Sequence, residues 1–131
     1  MELKIVLPAI QMRGRTRKIT NNLANEAHYH TKHKWKQLIY QQIFWATKQQ
    51  FVKPFSKDDY PLVASYDFYF QKRLPDWVNV SQLVKYLEDG LMNAKILEND
   101  NNNFVVGGSI MIYKTQEPED YCVIKYKSKH S

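Results

Sequence analysis

Apolar positions recur every second residue in some stretches and every third or fourth in others, which divides the chain into strands and helices. Residues 3–7 (LKIVL) alternate and stop at Pro8, the pattern of a short strand. Residues 11–22 (QMRGRTRKITNN), with Gly14 and the Asn21–Asn22 pair, read as a cationic loop. From residue 24 to 50 the spacing is helical. It places Trp35, Leu38, Ile39, Gln42, Phe44 and Trp45 on one side and Lys32, Lys34, Lys36 and Lys48 largely on the other, ending before Pro54. Residues 62–70 (LVASYDFYF) form a strand of alternating β-branched, aromatic and smaller residues. A second helix opens near residues 76–79, buries Val80, Leu83, Val84, Leu87 and Leu91, tolerates Gly90, and ends at residues 93–94. After Ile96–Leu97 and a polar turn at 98–103 come two strands, 104–113 with a bulge at Gly107–Gly108 and 121–127. The segment KTQEPED between them reads as a hairpin loop. The order β-α-β-α-β-β predicts one small α+β domain over 1–131, with a mixed or antiparallel sheet and two main helices.

Composition narrows the class. At 131 residues with 44% hydrophobic and 14% aromatic residues, the chain has enough apolar surface for a core and is neither disordered nor fibrous. A lone Cys122 excludes an internal disulfide and suits a reducing cytosol; within YCVIKY it reads as a packed, unreactive thiol. No run approaches the roughly 18 apolar residues of a membrane span, and LKIVLP lacks the features of a signal peptide, so a cytoplasmic protein without membrane association is expected.

Charge is unevenly spread. Residues 1–57 hold eleven Lys/Arg against two acids, a net of +9, and residues 58–131 hold eight against eleven, a net of −3. A basic half of that strength suits a polyanion such as nucleic acid, whose condensed counterions Lys and Arg replace. His28, His30 and His33 cluster in HYHTKH, but with no cysteine and no HExxH order they suit phosphate contacts or plain surface better than zinc. Phosphate-cradling glycine loops and a hydrolase nucleophile elbow are absent.

The acids flanking the second helix are the remaining candidates. Asp76 stands before it and Asp100 after it, so the two carboxylates could bracket one helix and hold a hard cation between them. Each also has an ordinary role, Asp76 as a first-turn acid and Asp100 as a solvated loop residue. Positions 78, 82, 85 and 89 fall on one helical stripe of Val78, Gln82, Lys85 and Asp89, in which Lys85 and Asp89 are an i, i+4 pair.

Residues 76–100 resemble the RusA-like endodeoxyribonucleases, the Holliday junction resolvases common in phages and prophages. That family shows D-x-D-N opening a helix, then Lys, Asp-x-Leu, an apolar pair and Asp-Asp. Here the order is Asp76-Trp77-Val78-Asn79, Lys85, Asp89-Gly90-Leu91, Ile96-Leu97 and Asn99-Asp100. LKIVLP and NNLANEAHYHTKHKWKQL are similar to the family's first strand and first helix. The resemblance implies a crossover junction endodeoxyribonuclease acting as a homodimer on branched DNA in recombination and repair, in a bacterial cytoplasm. It implies Mg²⁺, with Mn²⁺ as a substitute, held by Asp76 and Asp100, and Lys85 beside them as a third catalytic residue, supported by Asn79 and Asp89. Two positions depart from the pattern: Val78 replaces the second aspartate of D-x-D-N, and Asn99 replaces the first of Asp-Asp. A second register sets Asn79-Val80-Ser81-Gln82 on D-x-D-N; it matches a shorter spacing to Lys85 but keeps neither acid.

Three readings follow: a Mg²⁺-dependent structure-selective nuclease, a RusA-like protein that binds branched DNA and cleaves poorly, and a protein-binding factor on the same fold. In the first two, Arg13, Arg15, Arg17, Lys18, Lys32, Lys34, Lys36, Lys72 and Arg73 are the candidate DNA contacts.

Overall fold

A computed structural model describes residues 1–12, 15–18 and 29–130, with backbone only at 9–12, 15–18, 29–32 and 78. Arg13 and His28 therefore lie outside the described residues, as do residues 24–28 of the expected first helix. Strands β1 (Glu2–Val6), β2 (Ala9–Met12) and β3 (Arg15–Lys18) precede helix α1 (Tyr29–Gln49). Strand β4 (Leu62–Phe70), helix α2 (Ser81–Asn93), and strands β5 (Val105–Lys114) and β6 (Tyr121–Ser128) follow. This is the expected α+β order with a hairpin added.

Four strands form a mixed sheet in the order β1-β6-β4-β5, with β5 parallel to β4 and the other pairs antiparallel. Alternation along β4 decides its faces. Leu62, Ala64, Tyr66, Phe68 and Phe70 are buried, while Val63, Ser65, Asp67 and Tyr69 are half-exposed on the opposite face. Leu3 and Ile5 of β1 and Cys122, Ile124 and Tyr126 of β6 complete the buried face. The helices supply Trp35, Ile39, Ile43 and Ala46 from α1, and Leu83, Tyr86, Leu87 and Leu91 from α2, to the same core. Gly90 lets the helices approach: a Cβ there would lie 3.0 Å from Ile43 Cγ1.

Several expectations need correction. The segment read as a loop at 11–22 contributes to a hairpin, β2 pairing antiparallel with β3 and Met12 opposite Arg15. Strands β5 and β6 are not hairpin partners, because β4 lies between them. Their connection crosses the end of β4, where Thr115 N–H donates to the Phe70 carbonyl (3.0 Å) and Gln71 N–H to Asp120 Oδ1 (2.8 Å). The bulge falls at Val106, since Leu62 pairs with Val105 and Val63 with Gly107. Within α1, Leu38, Phe44 and Trp45 are exposed. The buried stripe runs Trp35, Ile39, Ile43, and at about 100° per residue the other three point at least about 100° away from Ile39. In α2, Tyr86 is buried and Val84 only half-buried.

Both helices end on a non-glycine residue in the left-handed region, Phe51 (φ 55°) after α1 and Lys95 (φ 65°) after α2. Val52 N–H bonds the Thr47 carbonyl at 2.9 Å and Ile96 N–H the Leu91 carbonyl at 3.0 Å, which are the six-to-one bonds of Schellman ends. A side chain there costs roughly 1–2 kcal/mol relative to glycine. After α2 the buried Ile96 and Leu97 hold the turn in place. Phe51, in contrast, is 86% exposed.

Candidate functional site

The 3-10 turn Trp77–Val80 leads into α2, whose helical hydrogen bonding begins at Ser81, so the polar stripe expected from residue 78 starts at Gln82. Asp76 is exposed ahead of this turn, and its carbonyl accepts the Asn79 N–H at 2.9 Å. Asn79 is half-buried. At the other end, residues 94–100 fold back along the helix. Phe55 N–H donates to the Ile96 carbonyl (3.0 Å) and Glu98 N–H to Tyr60 Oη (3.1 Å), fixing the return. The chain comes back far enough for Asp100 to reach the Lys85 ammonium, which also meets Asp89.

There the structure brings together three residues singled out from sequence. Lys85 Nζ lies 2.7 Å from Asp100 Oδ2 and 3.2 Å from Asp89 Oδ1. The hydrogen bond to Asp100 raises the Lys85 pKa against partial desolvation, so its ammonium stays charged. Lys85 is 55% exposed, and such pairs contribute at most about 1 kcal/mol each. Asn99, in the place of an acid, organises the loop: its Oδ1 accepts the Asp100 N–H (2.7 Å) and the Asn101 N–H (3.2 Å). Asp76 is not a bonded partner of Lys85, whose ion pairs go to Asp89 and Asp100.

Glu88 was missed by the sequence reading. It lies between Val84 and Leu91 at i+4 and i−3, on the shoulder of the apolar stripe, and that placement was the available signal. Tyr126 Oη donates to Glu88 Oε2 at 2.5 Å, so Tyr66 donates to Tyr126 Oη, also at 2.5 Å. Burial raises the Glu88 pKa, and Asp100 and Asp89 raise it further against the opposing effect of the Tyr126 hydrogen bond. Glu88 lines a cleft of about 520 Å³ with Tyr66, Trp77, Val84 and the Gly107–Gly108 backbone.

Because its folded-state pKa is raised, Glu88 favours the native state when protonated, and that contribution is lost as pH rises through the raised value. Tyr126→Phe removes a donor that lowers this pKa. The variant is expected to lose about 1–3 kcal/mol at neutral pH and less at an acidic pH below the raised value, where protonation removes the charge that the donor supports. Urea denaturation at the two pH values checks this; an equal loss at both would show that Glu88 is not involved.

The described cationic candidates lie on β3, on α1 and beyond β4. Lys34 is exposed on α1, and Lys36 is half-buried with its ammonium 5.5 Å from the centre of the Tyr86 ring. Lys72 and Arg73 are exposed beyond β4, where the Lys72 carbonyl accepts from Lys114 Nζ. Arg15, Arg17 and Lys18 lie on β3 and Lys32 on α1. His33 is exposed, and Cys122 is fully buried with its thiol pKa pushed up by burial.

Among the described residues, no group of three or more His, Cys, Asp or Glu side chains is arranged to hold a metal ion. No helix among them is long and apolar enough to cross a membrane. No protein-family model matches the chain, and no characterised protein matches it in sequence.

Proposed function

We propose that this chain is a RusA-like protein that binds branched DNA, acts as a homodimer, and has impaired metal-assisted cleavage. The loss of acids at positions 78 and 99 carries the reading of impaired cleavage, with Lys85 beside the remaining Asp100. With Asp100 at 2.7 Å and Asp89 at 3.2 Å, the Lys85 ammonium already supplies the positive charge that these carboxylates attract. A resident Mg²⁺ or Mn²⁺ fits poorly. The side chain at position 78 offers no oxygen and Asn99 is engaged with its own loop, so an ion there would rest on at most Asp76 and Asp100 with water completing its shell, a weaker set than the full motif. Binding rests on the basic half of the chain, in which eleven Lys/Arg face two acids.

Four-way-junction binding measured by anisotropy, beside cleavage in Mg²⁺, tests both parts. Six or more phosphate contacts predict an affinity that falls on the order of 10³-fold between 50 and 200 mM salt. Wild type is expected to bind and cleave weakly, with cleavage rising in Val78→Asp. Efficient wild-type cleavage that Asp76→Asn abolishes would restore the fully active, Mg²⁺-dependent nuclease. Absence of junction binding at 50 mM salt would remove DNA from the reading.

A further inference from the structure

We propose that the exposed side of α1 stacks the unpaired bases of single-stranded DNA, with Phe44, Trp45 and Phe51 as the rings and Lys34 and Lys48 as phosphate contacts. The inference rests on the nucleic-acid part of the reading above and is independent of cleavage. Trp45 is 62% exposed, Phe44 44% and Phe51 86%, so the three rings contribute little to the core. Phe44 and Trp45 meet edge to face at 5.6 Å, and Lys48 Nζ lies 5.4 Å from the centre of the Phe44 ring. Phe51 occupies a left-handed position suited to glycine, and its exposed ring recovers little of that strain by burial; strain of this kind collects where a side chain has a task.

Charge selects the occupant. Residues 27–57 contain no Asp or Glu, while Lys34 and Lys48 share the exposed side with the rings. The carboxylates of Glu2 and Asp59 border the cleft next to Phe51, so the cationic character is strongest toward Lys34 and Lys48. A second copy docked by two-fold symmetry would set this net-cationic face against itself. A lipid surface favours a continuous apolar strip, whereas Gln41 and Gln42 separate Leu38 from Trp45. Rings interleaved with lysine and glutamine match single-stranded DNA, whose bases stack on aromatic faces while its phosphates take the cations.

The test is binding of fluorescein-labelled dT15 by the full chain at 50 mM salt, for wild type, Trp45→Ala, Phe51→Gly, the double variant, and Tyr113→Ala as a control on the edge strand. Each single ring change, Trp45→Ala or Phe51→Gly, is expected to weaken binding about tenfold. Phe51→Gly should raise the melting temperature by about 3 °C or more, which separates lost stacking from lost folding. Tyr113→Ala should leave dT15 affinity unchanged. Unchanged affinity in the double variant overturns the proposal. So does phosphatidylserine-vesicle binding, or a dimer mass, that these changes abolish while dT15 affinity holds. Junction binding with ring-independent dT15 affinity would sink this inference alone; ring-dependent dT15 binding without junction binding would sink the branched-DNA reading alone.

Discussion

Phe68→Ala is expected to destabilise the chain by about 3–5 kcal/mol, a large share of the roughly 5–15 kcal/mol that holds a domain folded. Phe68 sits two residues from the end of β4 with no solvent exposure. Its ring is nearly parallel to Phe70 (6.1 Å, 3°) and Tyr66 (6.4 Å, 18°), its nearest same-face neighbours along the strand. Because β4 is hydrogen-bonded on both sides, to β6 and β5, the backbone around the cavity has little freedom to collapse into it. Urea denaturation should show a lower midpoint with an unchanged slope. A loss under about 1 kcal/mol would mean that this core relaxes far more than its strand pairing suggests.

Gly108→Ala should cost about 3 kcal/mol, while Gly107→Ala at the next position should be neutral or slightly stabilising. A Cβ at Gly108 would meet the Ala64 carbonyl oxygen at 2.5 Å, a backbone atom that can move only by parting β4 from β5. At Gly107 nothing lies within 4 Å of the added atom. Two adjacent glycines with the same composition signal therefore have opposite tolerances. Thermal melts of both variants check the contrast, and equal melting temperatures would show that the β4–β5 approach is looser than the pairing implies. Since β5 also contributes to the cleft beside Glu88, Gly108→Ala should disturb that region as well.

Local pattern carried much of the architecture. The period-two runs located β1, β4, β5 and β6 to within a few residues, and the stripe Val80, Leu83, Leu87, Leu91 located α2, because alternation and helical spacing directly report which face is buried. Within the candidate site, the i, i+4 pairing of Lys85 and Asp89 follows from helix geometry alone. Asp100 belongs with them for a reason that spacing cannot express. Ile96 and Leu97 bury themselves under the turn and Lys95 takes a left-handed backbone, so the chain doubles back along the helix. Asp76 is nine residues from Lys85 and is not one of its ion-pair partners. The hydrogen-bonded line Glu88–Tyr126–Tyr66 joins residues 38 and 60 positions apart, beyond the reach of any local pattern.

The amino-acid order alone settled the types of β1, β4, β5, β6 and the two helices, the uneven charge and the absence of a carboxylate at position 78, because these depend on residue identity and short-range spacing. Only the tertiary structure decided that β4 separates β5 from β6, that the aromatic side of α1 faces outward, and that Lys85 sits between Asp89 and Asp100. Those outcomes depend on which surfaces compete for one core. A helix carrying more apolar residues than the core can cover must leave some of them in water, and no periodicity says in advance which ones.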